Sequence, residues 1–96
     1  MSASLSTHVL ATEQGRPARG VRVELLDGDA LVARAETNDD GRVPALAEVG
    51  PGVYRLVFHP PSPFFRRVEV ELELTGGHYH VPLLLAPYAC TIYRGS

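Results

Sequence analysis

The sequence lacks most of the features that announce a chemistry or a compartment. It holds a single cysteine, Cys90, among 96 residues. One thiol forms neither an internal disulfide nor a cysteine-rich zinc site. No apolar run reaches the roughly 18 residues that a membrane-spanning helix needs. The opening stretch "MSASLSTHVLATEQGRPARG" has no basic start followed by an apolar core, so it does not read as a secretory signal. A cytoplasmic protein is the expectation. The formal net charge is only −2, which points to neither nucleic acid nor an anionic membrane surface as partner. There is no phosphate-binding glycine loop, no nucleophile elbow and no HExxH pair, and no cofactor is expected. Internal repeats, low-complexity tracts and linkers are also missing. A chain of this length fits one domain, 1–96, and buries only about 60–65% of its unfolded surface, so association is a common remedy.

What is present is a period of two. In "RVEVELEL" (67–74), Val68, Val70, Leu72 and Leu74 face one way and Glu69, Glu71 and Glu73 the other. "LSTHVLAT" (5–12), "VRVELLD" (21–27), "ALVARAET" (30–37), "VYRLVFH" (53–59), "HYHVPLLLA" (78–86) and "TIYRGS" (91–96) read as further strands. "EQGRPARG" reads as a turn, "NDDGR" as a tight turn, and "VPALAEVGPG" as mostly irregular with room for a short strand. Residues 59–66 carry three prolines and read as a stiff connection with no helix. Seven or eight short strands with frequent turns imply an all-β, two-sheet antiparallel sandwich. Leu83, Leu84 and Leu85 run consecutively, so in a strand they point to both faces. One face of such a strand lies in the core, and the other is expected to pack on a second subunit.

The polar candidates are few. His78 and His80 are two apart and share a strand face. Two such imidazoles suit paired metal ligands, one general base beside a bystander, or a hydrogen-bonded structural pair. His8 lies in the first strand, where a lone histidine is more often structural. His59 precedes "PPSP" and reads as a loop residue. Arg42 follows the Asp40-Gly41 turn; arginines there are usually surface residues, but in a site one offers a rigid fork of donors to an anion. Cys90 has no cationic sequence neighbour and reads as an inert thiol. No carboxylate or cysteine set stands at metal-ligand spacing beside the histidines, so no metal requirement is expected.

Taken in order, "LSTHVLATEQGRPARGVRVEL", "TNDDGR", "GVYRLVF", "HYHVPLLL", "PY" and the terminal "YRGS" resemble the transthyretin-like family. The ending resembles specifically its 5-hydroxyisourate hydrolase branch, because the hormone-carrying transthyretins lack "YRGS". The resemblance covers nearly the whole chain. It implies an eight-stranded sandwich, a homotetramer and active sites in the channel between dimers. It further implies that His8, Arg42, His80 and Ser96 form the catalytic set, with Tyr93, Arg94 and Gly95 beside them binding substrate. Arg94 and Ser96 are expected to share one face of an extended terminal segment. His78 falls outside the matched set. The implied reaction opens the lactam ring of 5-hydroxyisourate with water, in urate breakdown, with His80 or His8 activating the water and Arg42 stabilising the developing charge. Three departures stand out. The segment after "GVYRLVF" is shortened to "HPPSPFFRRVEV", with Arg66 and Arg67 in place of Pro-Glu and the usual short helix expected to be missing; Ala86 replaces a serine; and Ala89, Cys90, Thr91 and Ile92 replace "GYST". The alternatives are a non-catalytic carrier of a flat small ligand and a metal-binding or structural sandwich built on His8, His78 and His80.

Overall fold

The computed structural model describes all residues from Met1 to Ser96, and every regular element in it is a strand. The strands are β1 (Ala3–Ala11), β2 (Arg16–Pro17), β3 (Arg22–Asp27), β4 (Ala30–Glu36), β5 (Arg42–Val49), β6 (Gly52–His59), β7 (Val68–Leu74), β8 (Gly77–Ala86) and β9 (Ala89–Ile92). One sheet runs β4-β3-β6-β7, all antiparallel. The other runs β2-β1-β8-β9, with β5 also paired to β1. The expected two-sheet sandwich is therefore present. The count reaches nine because the two-residue β2 forms where a turn alone is expected: after the turn at 12–15, Arg16 and Pro17 come back to pair with Ala11 and Leu10.

Alternation explains the core. The inward positions of β1 (Ala3, Leu5, Thr7, Val9) and of β8 (Tyr79, Val81, Leu83, Leu85) are buried, and they face Val23, Leu25, Leu56, Phe58 and Leu74 from the second sheet. Each fully buried Leu or Phe stabilises the fold by about 1.5–3 kcal/mol. Thr7 is the one inward hydroxyl of β1, and it donates to the Val81 carbonyl at 2.6 Å, so its burial is compensated.

Three findings differ from the sequence reading. First, "VPALAEVGPG" lies largely in the eight-residue β5. Its pairing with β1 shifts register between Leu5 and Thr7, so its buried residues, Val43 and Leu46, are three apart and hide the period of two. Second, β1 and β8 pair in parallel through nine registered positions, from Ala3↔Gly77 to Ala11↔Leu85, inside an otherwise antiparallel fold. Third, His59 closes β6, as the strand reading of 53–59 has it and not as a loop residue, and its Nε2 lies 2.6 Å from Glu24 Oε1. That bond, first among the causes, holds the Glu24 carboxyl below its ordinary range. The connection 59–66 has no helix, as its prolines require; Ser62 Oγ accepts from the Phe64 and Phe65 amides at 3.1 and 2.9 Å, closing a compact turn.

Candidate active site on the outer face of the five-stranded sheet

The face of β1 and β8 that points away from the core is polar. Parallel pairing sets Ser4 beside His78, Ser6 beside His80, His8 beside Pro82 and Leu10 beside Leu84. Antiparallel pairing on the other flank sets His8 beside Arg42. Three of the residues implicated by the sequence, His8, Arg42 and His80, thus come from three strands onto one face. Leu84 is half buried there, next to the half-buried Leu10, while Leu83 and Leu85 sit in the core.

Arg42 is delivered by a turn whose chemistry is local. Asn38 Oδ1 accepts from the amides of Asp40 and Arg42 at 2.9 and 3.0 Å. Gly41 has φ of 74°, and a Cβ there would lie 2.6 Å from the Val9 carbonyl oxygen, so only glycine lets the turn dock on β1. The Arg42 guanidinium takes part in none of the ion pairs and in no hydrogen bond, leaving its five donors available. His8 Nε2 lies 2.8 Å from the Asp40 carbonyl oxygen. A carbonyl only accepts, so Nε2 carries the proton and the neutral ring presents its lone pair at Nδ1.

His80 is held from two sides. Its Nδ1 lies 2.8 Å from Ser6 Oγ, and its carbonyl accepts from the Gly95 amide at 2.6 Å. A Cβ on Gly95 would sit 2.8 Å from His80 Cδ2, so the chain end lies close against the ring, and a side chain at that position would force the ring or the chain end to shift. Partial burial lowers the His80 pKa below its ordinary 6.5, and Arg42, His8 and His78 add to the shift by repulsion. The ring is therefore neutral at pH 7, as a base must be.

The terminal residues divide. Tyr93 is exposed, and its amide donates to the Pro82 carbonyl at 3.4 Å. Gly95 touches His80, and the exposed Ser96 follows it directly. Arg94 does not join them. Its guanidinium lies 4.3 Å from the centroid of Tyr79, which points inward between His78 and His80 and lines the open edge of the sandwich with Leu72 and Val81. Arg94 is expected to share one face of the terminal segment with Ser96; its guanidinium is turned toward Tyr79 and not toward His80. Tyr79 holds it by a cation–π contact, worth about 0.5–1 kcal/mol at exposed sites. Cys90 also faces inward, against the core, away from the site.

Sequence reasoning missed Ser4 and Ser6 and left His78 aside. Ser6 Oγ lies 3.0 Å from His78 Nε2 as well as 2.8 Å from His80 Nδ1, and Ser4 Oγ lies 2.7 Å from His78 Nδ1. Period two already puts Ser4, Ser6 and His8 on one face. What was missing is the parallel register that lays that face along "HYH". No group of three or more His, Cys, Asp or Glu side chains converges as a metal-ligand set. His8, Arg42 and His80 line none of the surface cavities of the chain, although Ser4 and His78 border one of them with Pro44, Ala45 and Ala47.

Residues 5–95 match the profile of the HIUase/Transthyretin family. The chain belongs to this family. Among its relatives is 5-hydroxyisourate hydrolase 2 of Rhizobium meliloti, 44% identical, with 99% of this chain and 98% of that protein aligned. In three dimensions the chain is similar to the Klebsiella pneumoniae 5-hydroxyisourate hydrolase, at a TM-score of 0.89 and 33% identity, covering 97% of this chain and 99% of the other. It also shares its fold with sea bream transthyretin solved with thyroxine, at a TM-score of 0.80 and 24% identity over 95% of this chain and 93% of that one. The same sandwich thus recurs in a protein named as a 5-hydroxyisourate hydrolase and in a transthyretin.

Proposed function

We propose that this protein hydrolyses 5-hydroxyisourate, opening its lactam ring to give the ureidoimidazoline carboxylate of urate breakdown. The observation that carries the reading is the meeting of an uncommitted guanidinium, Arg42, with two imidazoles, His8 and His80, on one sheet face. The full-length similarity to 5-hydroxyisourate hydrolases supports it.

Amide hydrolysis needs an activated water and a stabilised oxyanion. His80, kept neutral by partial burial and by its cationic neighbours, accepts the proton of the attacking water at Nε2. Arg42 supplies paired donors to the flat heterocycle and to the charge that develops on the carbonyl oxygen. His8, with its Nε2 proton committed to the Asp40 carbonyl, offers Nδ1 as acceptor for a substrate N–H. Ser96 orients substrate, and Tyr93 and Gly95 form the wall beside His80. Arg94 acts at one remove, by pinning the terminal segment to Tyr79.

A site on an open sheet face neither encloses a substrate nor excludes water. The half-buried Leu10 and Leu84 border it, and a chain of this size gains from association. A second copy laid on this face closes the site, and a homotetramer of paired sandwiches is the assembly proposed, in the cytoplasm and without a cofactor. The test is direct. Urate oxidase generates 5-hydroxyisourate in the cuvette, and the purified protein accelerates the loss of its absorbance. Decay at the spontaneous rate defeats the proposal and favours the carrier reading.

A further inference from the structure

The hydrogen bonds around His80 extend beyond what a fixed ring requires. Four side chains alternate along the outer face: Ser4 Oγ to His78 Nδ1 at 2.7 Å, His78 Nε2 to Ser6 Oγ at 3.0 Å, and Ser6 Oγ to His80 Nδ1 at 2.8 Å. Each imidazole uses both ends or presents a free end to the site, and Ser6, which joins them, is buried while His78 and Ser4 reach toward solvent. We infer that Ser6, His78 and Ser4 form a proton relay that connects His80 to bulk water and switches it between base and acid during turnover. The inference rests on the proposed hydrolase reading for its reaction and on the geometry alone for its path.

The chain has two directions, and each satisfies every member. In one, His80 Nδ1–H donates to Ser6 Oγ, the Ser6 hydroxyl donates to His78 Nε2, and His78 Nδ1–H donates to Ser4 Oγ. His80 Nε2 then carries a lone pair and acts as base. In the other, Ser4 donates to His78 Nδ1, His78 Nε2–H donates to Ser6, and Ser6 donates to His80 Nδ1. His80 Nε2 then carries a proton and acts as acid. A neutral hydroxyl has one proton to give, so Ser6 serves one ring as donor and the other as acceptor, and the two histidines reverse together.

The step balances. As the water oxygen bonds to the lactam carbon, its O–H bond breaks and the proton goes to His80 Nε2. The Nδ1 proton of His80 passes to Ser6, the Ser6 proton to His78 Nε2, the His78 Nδ1 proton to Ser4, and the Ser4 proton to solvent. One proton enters the chain and one leaves. His80 ends neutral with a proton on Nε2, ready to protonate the leaving nitrogen when the C–N bond breaks, and a proton taken from solvent at Ser4 restores the first direction. The relay spares the site a second positive charge beside Arg42, which an imidazolium at His80 would create.

The test uses Ser6→Ala and His78→Gln, both on the outer face, with thermal unfolding as a check that the fold persists. Loss of a proton-transfer partner is expected to lower kcat by about tenfold or more while KM holds within about twofold. Added imidazole buffer is expected to restore kcat of the variants in a concentration-dependent way and to leave the wild type unchanged, because a mobile base can replace a relay but cannot reposition a ring. A readout independent of activity comes from the ring nitrogens: His78→Gln is expected to shift the Nδ1 and Nε2 15N resonances of His80, with Ser6 as the link, and Ser6→Ala to abolish that dependence. Unchanged kcat in both variants, or a loss that imidazole does not touch, overturns the relay. So does a His80 nitrogen spectrum indifferent to His78. A wild type inactive on 5-hydroxyisourate defeats the proposed function instead, and the 15N comparison still decides whether the two histidines are coupled.

Discussion

The two faces of the β1–β8 pair share a backbone and differ in almost everything else. Inward, Ala3, Leu5, Thr7 and Val9 meet Tyr79, Val81, Leu83 and Leu85, and all eight are buried. Outward, Ser4, Ser6 and His8 meet His78, His80 and Pro82, and the side chains bond one another rather than the core. One residue of register separates a position that holds the sandwich together from one that faces the proposed site. Stability and activity should therefore respond to different residues of the same strand.

The largest expected effect breaks the inward face. Leu83→Ala should cost about 2–5 kcal/mol, since a buried leucine is replaced by a cavity, and chemical denaturation should show the midpoint falling at unchanged slope. A change under about 0.5 kcal/mol, the scale of an exposed substitution, would mean the two faces are not distinct in energy. On the outward face, His80→Ala should lower kcat by about 10²–10⁴, the range of a general base, and move the unfolding midpoint little. Arg42→Ala should lower kcat/KM by about 10²–10³, in keeping with loss of a preorganised donor to an oxyanion, again with little change in stability. Outward variants that unfold the protein would erase the comparison.

The pH dependence sharpens it. His80 titrates below its ordinary 6.5, chiefly through partial burial and then through Arg42 of β5, His8 of β1 and His78 of β8. The rate should hold from neutral pH downward past 6.5 and fall as pH drops through the lower folded value. The sign for stability follows: the unfolded state takes up the proton first, so His80 contributes most above 6.5 and its contribution is lost as pH falls through the folded value. In His80→Ala this part of the acid loss should disappear from pH-dependent unfolding curves. The smallest effect is expected at Arg94→Ala. With its guanidinium on Tyr79 and away from His80, its loss should cost about 0.5–1 kcal/mol in the anchoring of the terminus. Activity should drop only a few-fold, and excess substrate should not correct it. A loss as deep as that of Arg42→Ala would restore Arg94 to the substrate-binding set.

Legibility from sequence followed the same division. The alternation of "RVEVELEL" and "VYRLVFH" is a local property, and those strands fell where expected. β5 was obscured because its register shift against β1 breaks the local period, a cause that lies in another strand. His8, Arg42 and His80 were singled out through their resemblance to family motifs. His78 was a candidate from its spacing to His80 but fell outside the matched motif residues, and Ser4 and Ser6 were not marked at all, because no motif marks a serine whose partner is more than 70 residues away.

By itself the sequence determined the secondary structure class, the inward and outward assignment along most strands, the helix-free connection through Pro60, Pro61 and Pro63, and the tight turn before Arg42. Each of these is set by neighbours within a few bonds: side-chain alternation, proline's missing donor, the turn-forming Asp40-Gly41 pair. Only the tertiary structure decided that β1 lies parallel to β8, that Ser6 sits between His78 and His80, and that Arg94 turns toward Tyr79 while Gly95 lies on His80. Those outcomes depend on which distant strand a given edge pairs with, and in which register. Burial of the whole core selects that pairing, and no short stretch of residues encodes it.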